Sequence, residues 1–158
     1  MKLGIGVLFV FVSMTSLVRA QQPINEWKGV IPLHSTRADV EKIFGIPKKT
    51  YKDAFYESAY ETELETIRVE YSEGRCHENR YSVWKVPKDT VIRVSVSPKG
   101  DMSIPQFKKL FPQNFTRLVD PNLPSHVHYR NDDGSVGFTT KILRNGSEDV
   151  LSFSVHPA

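Results

Sequence analysis

The chain has 158 residues, of which 39% are hydrophobic and 25% charged, with 10 prolines, 9 glycines and a single cysteine. This balance is that of a globular domain, and it excludes collagen-like, low-complexity and disulfide-scaffold proteins. The formal net charge is +3, but residues 1–20 hold two bases and no acid, so the remainder carries 19 basic and 18 acidic residues and a net charge of +1. A domain so near neutrality gives no electrostatic reason to expect nucleic acid or an anionic membrane as a partner.

The N-terminal segment has the pattern of a secretory signal. Lys2 precedes an uncharged apolar run over residues 3–18, and the small residue Ala20 suits a cleavage site. The run is shorter than the roughly 20 residues that span a bilayer, so we expect no stable membrane insertion after cleavage. The sequence therefore predicts a signal peptide over residues 1–20 and a single periplasmic or secreted domain over residues 21–158.

The clearest helix signal covers residues 35–45. Thr36 is a suitable N-cap, and Asp39 three residues later completes a capping-box pattern with an acid in the first turn. Gly45 suits the position after the helix, and Pro47 prevents its continuation.

A second helix is predicted from Ser103. Phe107, Leu110 and Phe111 follow the i, i+3, i+4 spacing of one helix face, and Pro112 ends the helix. The two helix signals are offset by 67–68 residues, and strand patterns follow each of them. The spacing leaves two interpretations open: an internal duplication of a helix-plus-hairpin unit, or short capped helices that look alike by default.

The remaining patterns predict antiparallel strands. Ile67, Val69 and Tyr71 alternate with polar residues, which is typical of a half-buried strand. Residues 57–65 are acidic and are expected to form an exposed loop, whereas residues 131–134 and 145–146 have the composition of hairpin turns. We therefore expect an α+β fold, with an antiparallel β-sheet and two short helices packed on one face.

Three residues are candidates for chemistry. Cys76 is the only cysteine, so it is a buried small hydrophobe, an intermolecular bridge or a reactive thiol. His126 and His128 would share one face of a strand, as metal ligands if a third ligand joined them, or otherwise as a solvent-facing pair. No bound cofactor is predicted from the sequence.

Aromatic residues are the candidates for binding. Tyrosine and tryptophan give large, rigid contact areas and favour interfaces, although core packing is the alternative. The candidate contact residues for a protein partner in the cell envelope are Tyr51, Tyr56, Tyr60 and Trp84.

Several segments resemble a family of small exported bacterial proteins of unknown function. The likeness begins with WKGVIPLHSTRADV at residues 27–40 and FGIP at 44–47, and continues through YSEGRC at 71–76, WKVP at 84–87 and YRN at 129–131. This resemblance implies export and a small α+β domain, and it supplies no catalytic residues.

A more distant likeness is to the BamE/SmpA assembly proteins and to the β-lactamase-inhibitor-like fold. It rests on a helix entered through Asp39-Val40 and ended at Gly45-Ile46-Pro47. The chain lacks the lipid-anchoring cysteine of the former and the disulfides of the latter, so the resemblance implies architecture alone.

The sequence contains no G-x-S-x-G elbow, no phosphate-binding glycine loop and no dinucleotide fingerprint. We therefore expect an exported, non-catalytic protein-binding or scaffolding module of the bacterial cell envelope. The alternatives are a small exported enzyme or metal-binding protein that uses Cys76 or His126 and His128, and a secreted enzyme inhibitor.

Overall fold

The computed structural model describes residues 25–52, 56–74, 77–79 and 82–157. The predicted signal segment and Cys76 lie outside these residues. Within them, no helix is long and apolar enough to cross a membrane. The helices and strands of the described chain are α1 (Arg37–Phe44), β1 (Lys49–Tyr51), β2 (Glu57–Glu61), β3 (Glu65–Tyr71), β4 (His77–Asn79), β5 (Ser82–Trp84), β6 (Val91–Pro98), α2 (Ile104–Leu110), β7 (Phe115–Val119), β8 (His126–Asn131), β9 (Val136–Ile142) and β10 (Glu148–Val155).

Helix α1 begins and ends as predicted. The Thr36 side chain accepts a hydrogen bond from the Asp39 amide, and the Asp39 carboxylate accepts one from the Thr36 amide at 3.0 Å. Two amides that the helix itself leaves unpaired are thereby satisfied. Gly45 follows the last helical residue with φ at 79°, a conformation that strains most L-residues, and its amide donates to the Glu41 carbonyl.

Helix α2 begins with a related contact in which both hydrogen bonds run from Ser103 to Gln106. The amide and hydroxyl of Ser103 both donate to the Gln106 side-chain oxygen, at 2.8 and 2.9 Å. Pro105 is tolerated in the first turn because its missing N–H would have no partner there. The helix buries Phe107 and so packs against one face of the sheet.

The two halves of the chain build one antiparallel sheet in mirrored order. The eight strands run β1-β2-β3-β6-β10-β9-β8-β7, so each half contributes a helix followed by four adjoining strands. The halves meet where β6 pairs with β10, with Ser95 opposite Ser154. The α+β prediction is confirmed. The two halves share one topology, and the two interpretations of the helix spacing stay open.

One insertion distinguishes the two halves. In the first half, residues 72–90 connect the third and fourth strands and include the separate β4-β5 hairpin, whereas residues 143–147 make the same connection in the second half. The longer connection returns to the sheet through Ser72, whose amide donates to the Thr90 carbonyl.

Both helices lie on one face of the sheet, which we call the core face. Phe107 of α2 is fully buried among aromatic rings, with its ring centroid 4.3 Å from that of Phe138 and 5.3 Å from that of Phe153. Val40 of α1 is equally buried over the first half. Such ring pairs add roughly 0.5–1.5 kcal/mol each beyond the burial of their area. The valines, aromatics and isoleucine of the central strands complete this single core.

One element differs from the sequence prediction. The acidic segment expected as an exposed loop forms β2, because Ser58 and Tyr60 point to the core face and are buried. Its glutamates project from the opposite face, where Glu61 forms a salt bridge with Lys48. The predicted turns at residues 131–134 and 145–146 are confirmed by the backbone hydrogen bonds that close them.

Candidate functional site

The second face of the sheet, which we call the open face, has neither described helix on it. A hollow of about 320 Å³ lies on this face over β6, β10, β9, β8 and β7. We call it the open-face hollow. Its lining residues are Ser95, Leu118, His128, Tyr129, Arg130, Gly137, Phe138, Thr139, Ser152, Phe153, Ser154 and His156. Its volume falls at the small end of the range of roughly 300–1,000 Å³ that is usual for ligand pockets.

The floor of the hollow consists of small side chains placed side by side by the strand register. Ser154 pairs with Ser95 on one neighbouring strand and with Gly137 on the other. A Cβ on Gly137 would lie 3.2 Å from the Tyr129 carbonyl oxygen, which is a tight contact. Glycine inside a strand is typical of a place where another group approaches the backbone closely.

The aromatic lining residues contribute main-chain atoms rather than rings. The rings of Phe138 and Phe153 pack on the core face, and the Tyr129 ring stacks on Phe138 at 4.4 Å. Tyr129 also donates its hydroxyl hydrogen to Glu148 at 2.9 Å on that side of the sheet. The side chains that line the hollow are therefore mostly polar, with Leu118 as the one aliphatic side chain among the described lining residues.

Three basic side chains, those of His128, Arg130 and His156, line the hollow beside its floor. Nδ1 of His128 is hydrogen-bonded to the Thr139 hydroxyl at 2.9 Å, which fixes the orientation of the imidazole ring. The exposed Arg130 lies on the same strand, two residues further along. His156 follows β10 and is held by a backbone hydrogen bond from its amide to the Ser135 carbonyl.

Burial lowers the pKa of His156 below the usual value for histidine, and the positive charges of Arg130 and Arg93 lower it further. The nearby Asp133 carboxylate and a backbone hydrogen bond at Pro157 oppose this lowering only in part. The imidazole of His156 is therefore neutral at neutral pH, and an anion placed beside it would raise its pKa.

The aromatic residues predicted as a contact surface do not share one face. Tyr60 has 1% of its surface exposed on the core face, where its hydroxyl is 2.9 Å from that of Tyr71. Tyr51 pairs with Glu57 and so lies on the open face, at the β1 edge. Trp84 belongs to the separate β4-β5 hairpin. Their binding role stays a prediction, and Tyr60 follows the core alternative that the sequence left open.

Tyr56 takes part in a cluster around an arginine. Its ring and that of Tyr71 enclose the Arg37 guanidinium, whose central carbon is 4.4 and 4.2 Å from the two ring centroids. Arg37 donates to Asp89 at 3.0 Å and to the Ser58 hydroxyl at 2.9 Å. The Nη2 atom of this guanidinium is buried and has no hydrogen-bond partner among the described residues. The contacts of this cluster join α1, β2, β3 and the long connection, so we interpret it as structural.

The two strand histidines point to the open face, because Val127 between them is fully buried. His126 is hydrogen-bonded through Nδ1 to the Ser125 hydroxyl at 3.0 Å. Among the described residues, no group of three or more histidine, cysteine, aspartate and glutamate side chains is placed to hold a metal ion. The two histidines share one strand face, and their role stays a prediction.

Most residues of the hollow were not candidates in the sequence. Ser95, Ser154 and Arg130 are single polar residues in three different strands, and only the register brings them together. Gly137, inside an alternating strand pattern, was the one local signal for this place.

No protein-family model and no curated protein matches the chain. The chain resembles a protein from Bacillus subtilis. That protein is YjgB, of the DUF4309 family, known from a crystal structure. The two share 14% sequence identity over 81% of this chain and 83% of that chain, with a TM-score of 0.47. The similarity concerns the fold alone and carries no functional argument. The likenesses to exported families, to BamE/SmpA proteins and to the β-lactamase-inhibitor-like fold stay predictions.

Proposed function

We propose that this protein is an exported, non-catalytic binding module of the bacterial cell envelope, and that it binds a small polar ligand in the open-face hollow. The observation that supports this function most directly is the hollow itself, with its floor of small residues and its polar rim. The predicted signal segment supports export. A hollow with a few convergent polar groups is the usual form of a small-molecule site.

Three hydroxyls of the hollow favour a ligand that accepts or donates hydrogen bonds. Ser95, Ser152 and Ser154 are half-buried, and their side chains make no hydrogen bond within the described residues. A half-buried hydroxyl without a protein partner is available to water or to a ligand. An apolar ligand would leave these groups without partners and would bind weakly.

A protein partner, predicted from the aromatic residues, is the alternative occupant. Tyr51 lies at the edge of the same face and would belong to such a larger contact. Changing Tyr51 to alanine should weaken the binding of a protein that spans the face, and should leave the binding of a small ligand in the hollow unchanged.

The test is a screen of sugars, amino acids, organic acids and short peptides by protein-observed NMR. We expect a bound compound to shift the amide signals of Ser95, Gly137 and Ser154. Ser154→Trp should fill the hollow and abolish the shifts. The matched control is Ala38→Trp, a similar enlargement at an exposed position of α1. Shifts that cluster elsewhere, or that persist in Ser154→Trp, would contradict the proposed site.

A further inference from the structure

The open-face hollow is lined by one permanent positive charge, that of Arg130. Among the described lining residues there are also two histidines, of which His156 is neutral at neutral pH, and there is no aspartate or glutamate. In the described part of the chain, no carboxylate lies within 4.0 Å of the Arg130 guanidinium. An arginine without an acidic partner at the rim of a polar hollow is suited to bind an anion.

On the first half of the open face, the arginines have carboxylate partners, unlike Arg130. There Arg93 forms a salt bridge with Glu70 at 2.9 Å, and Arg68 has Glu57 at 3.9 Å. The pairing leaves those arginines with less capacity for an external anion. On the open face, Arg130, Lys141 and Lys49 have no carboxylate within 4.0 Å among the described residues, and of these three Arg130 alone lines the hollow.

The neutral groups of the hollow also fit an anion. The hydroxyls of Ser95 and Ser154 stand opposite each other on adjoining strands and lack hydrogen-bond partners within the described residues. Hydroxyls of this kind donate to an oxygen that carries negative charge more strongly than to a neutral one. The missing side chain of Gly137 leaves space for the ligand beside them.

We propose that the open-face hollow recognises the oxyanion group of a small organic acid, with Arg130 as the charged partner and the floor hydroxyls as neutral donors. This inference rests on the proposed function and adds the chemical class of its ligand. A carboxylate and a phosphate present the same negatively charged oxygens to these donors, and both fit within about 320 Å³.

The test is a titration at low salt, followed by NMR shifts of the hollow amides and by calorimetry. Succinate and inorganic phosphate are the two anionic probes, and their relative affinities distinguish a carboxylate ligand from a phosphate ligand. Succinamide, which is uncharged and of similar shape, is the matched neutral probe. We expect at least one anion to bind at least tenfold more tightly than succinamide.

Two variants separate the role of Arg130 from the general charge of the face. Arg130→Met should weaken anion binding at least tenfold. Lys141→Met removes the same charge from the neighbouring strand at an exposed position outside the hollow, and it should change binding less than twofold. Arg130→Gln provides a second variant if Arg130→Met fails to fold, with circular dichroism as the check.

The pH dependence gives an independent readout. Three charged groups act on the imidazole of His156. They are Arg130 of β8, Arg93 of β6 and Asp133 of the turn after β8. A bound oxyanion adds negative charge beside this imidazole and favours its protonation. The probes themselves lose negative charge over the same range, so the readout is the ratio of the anion affinity of wild type to that of His156→Gln. This ratio should rise as the pH falls from 7.5 to 5.5, and a constant ratio would contradict a contribution of His156.

The outcomes distinguish the two proposals. Equal anion binding by wild type and Arg130→Met, or tighter binding of succinamide than of either anion, would overturn the oxyanion inference. If no anion binds but a neutral compound shifts the hollow amides, the inference fails and the proposed function stands. If no compound of any class shifts those amides, both fail.

Discussion

Arg37 holds together parts of the chain that are far apart in sequence. Its guanidinium lies between two tyrosine rings, pairs with an aspartate of the long connection and donates to a serine of β2. Hydrogen bonds to charged groups contribute about 1.5–3 kcal/mol each, and a cation over an aromatic ring adds to this when it is shielded from water. One side chain therefore connects α1, β2 and the insertion.

Replacing Arg37 by methionine should destabilise the protein by about 2 kcal/mol, since Asp89 and Ser58 lose their donor in a partly buried place. Lys42→Met is the matched control, because the Lys42 side chain is 77% exposed and its contact with Asp39 is 3.4 Å long. That change should cost less than about 0.5 kcal/mol. Urea denaturation measures both. Equal effects would contradict the role assigned to Arg37.

The ion pair between Arg37 and Asp89 predicts that the free energy of unfolding depends on pH. Burial raises the pKa of Asp89, but hydrogen bonds from Tyr56 and Arg37 outweigh it, and the pKa is lowered. A carboxyl whose pKa is lowered by folding stabilises the protein above its unfolded pKa of about 4, and this contribution disappears as the pH falls through the folded pKa. The difference in unfolding free energy between wild type and Arg37→Met should therefore shrink below about pH 4. A constant difference between pH 7 and pH 3 would refute this coupling.

The helices and turns could be predicted from the sequence because each depends on neighbouring residues. Thr36 with Asp39 caps α1, and the glycine at position 146 closes the hairpin before β10, as expected. Strand β2 differs from the exposed loop that the sequence predicts. Its glutamates suggest solvent on both sides of the segment, whereas a strand needs to be apolar on one side alone. The hollow could not be predicted, because it depends on the register of five strands.

Gly146 illustrates a turn position that requires glycine. Its φ is 81°, and a Cβ there would meet no atom within 4 Å, so its substitution tests backbone conformation alone. Gly146→Ala should destabilise the protein by about 1 kcal/mol. Gly100 also has open space and no positive φ, so Gly100→Ala should be neutral or slightly stabilising. Thermal denaturation of the two variants measures the contrast, and equal shifts would contradict this explanation.

At the scale of the whole molecule, the two halves share one core. Phe153 of β10 contacts Trp27, with ring centroids 4.7 Å apart, and Phe107 of the second helix at 5.3 Å. Its strand pairs with both β6 and β9. The core-face residues where β6 pairs with β10 are buried as completely as the rest of the core. We therefore expect the halves to unfold together.

Phe153→Ala should therefore destabilise both halves at once, by about 3–5 kcal/mol. Leu151→Ala, two residues away in the same strand at a side chain that is 40% exposed, should cost less than about 1 kcal/mol. Native-state hydrogen exchange at β2 and β8 measures the effect in each half. A loss of protection confined to β8 would show that the halves unfold independently.

The mirrored strand order also determines when the protein can fold during its synthesis. The strand that lies in the middle of the sheet, β10, is the last of the described strands to leave the ribosome. Until then β6 lacks one of its two neighbours, and the nascent polypeptide cannot close its sheet. Under the proposed export, a chain that stays open until its final strand emerges would suit passage through a translocation channel, which accepts extended polypeptide.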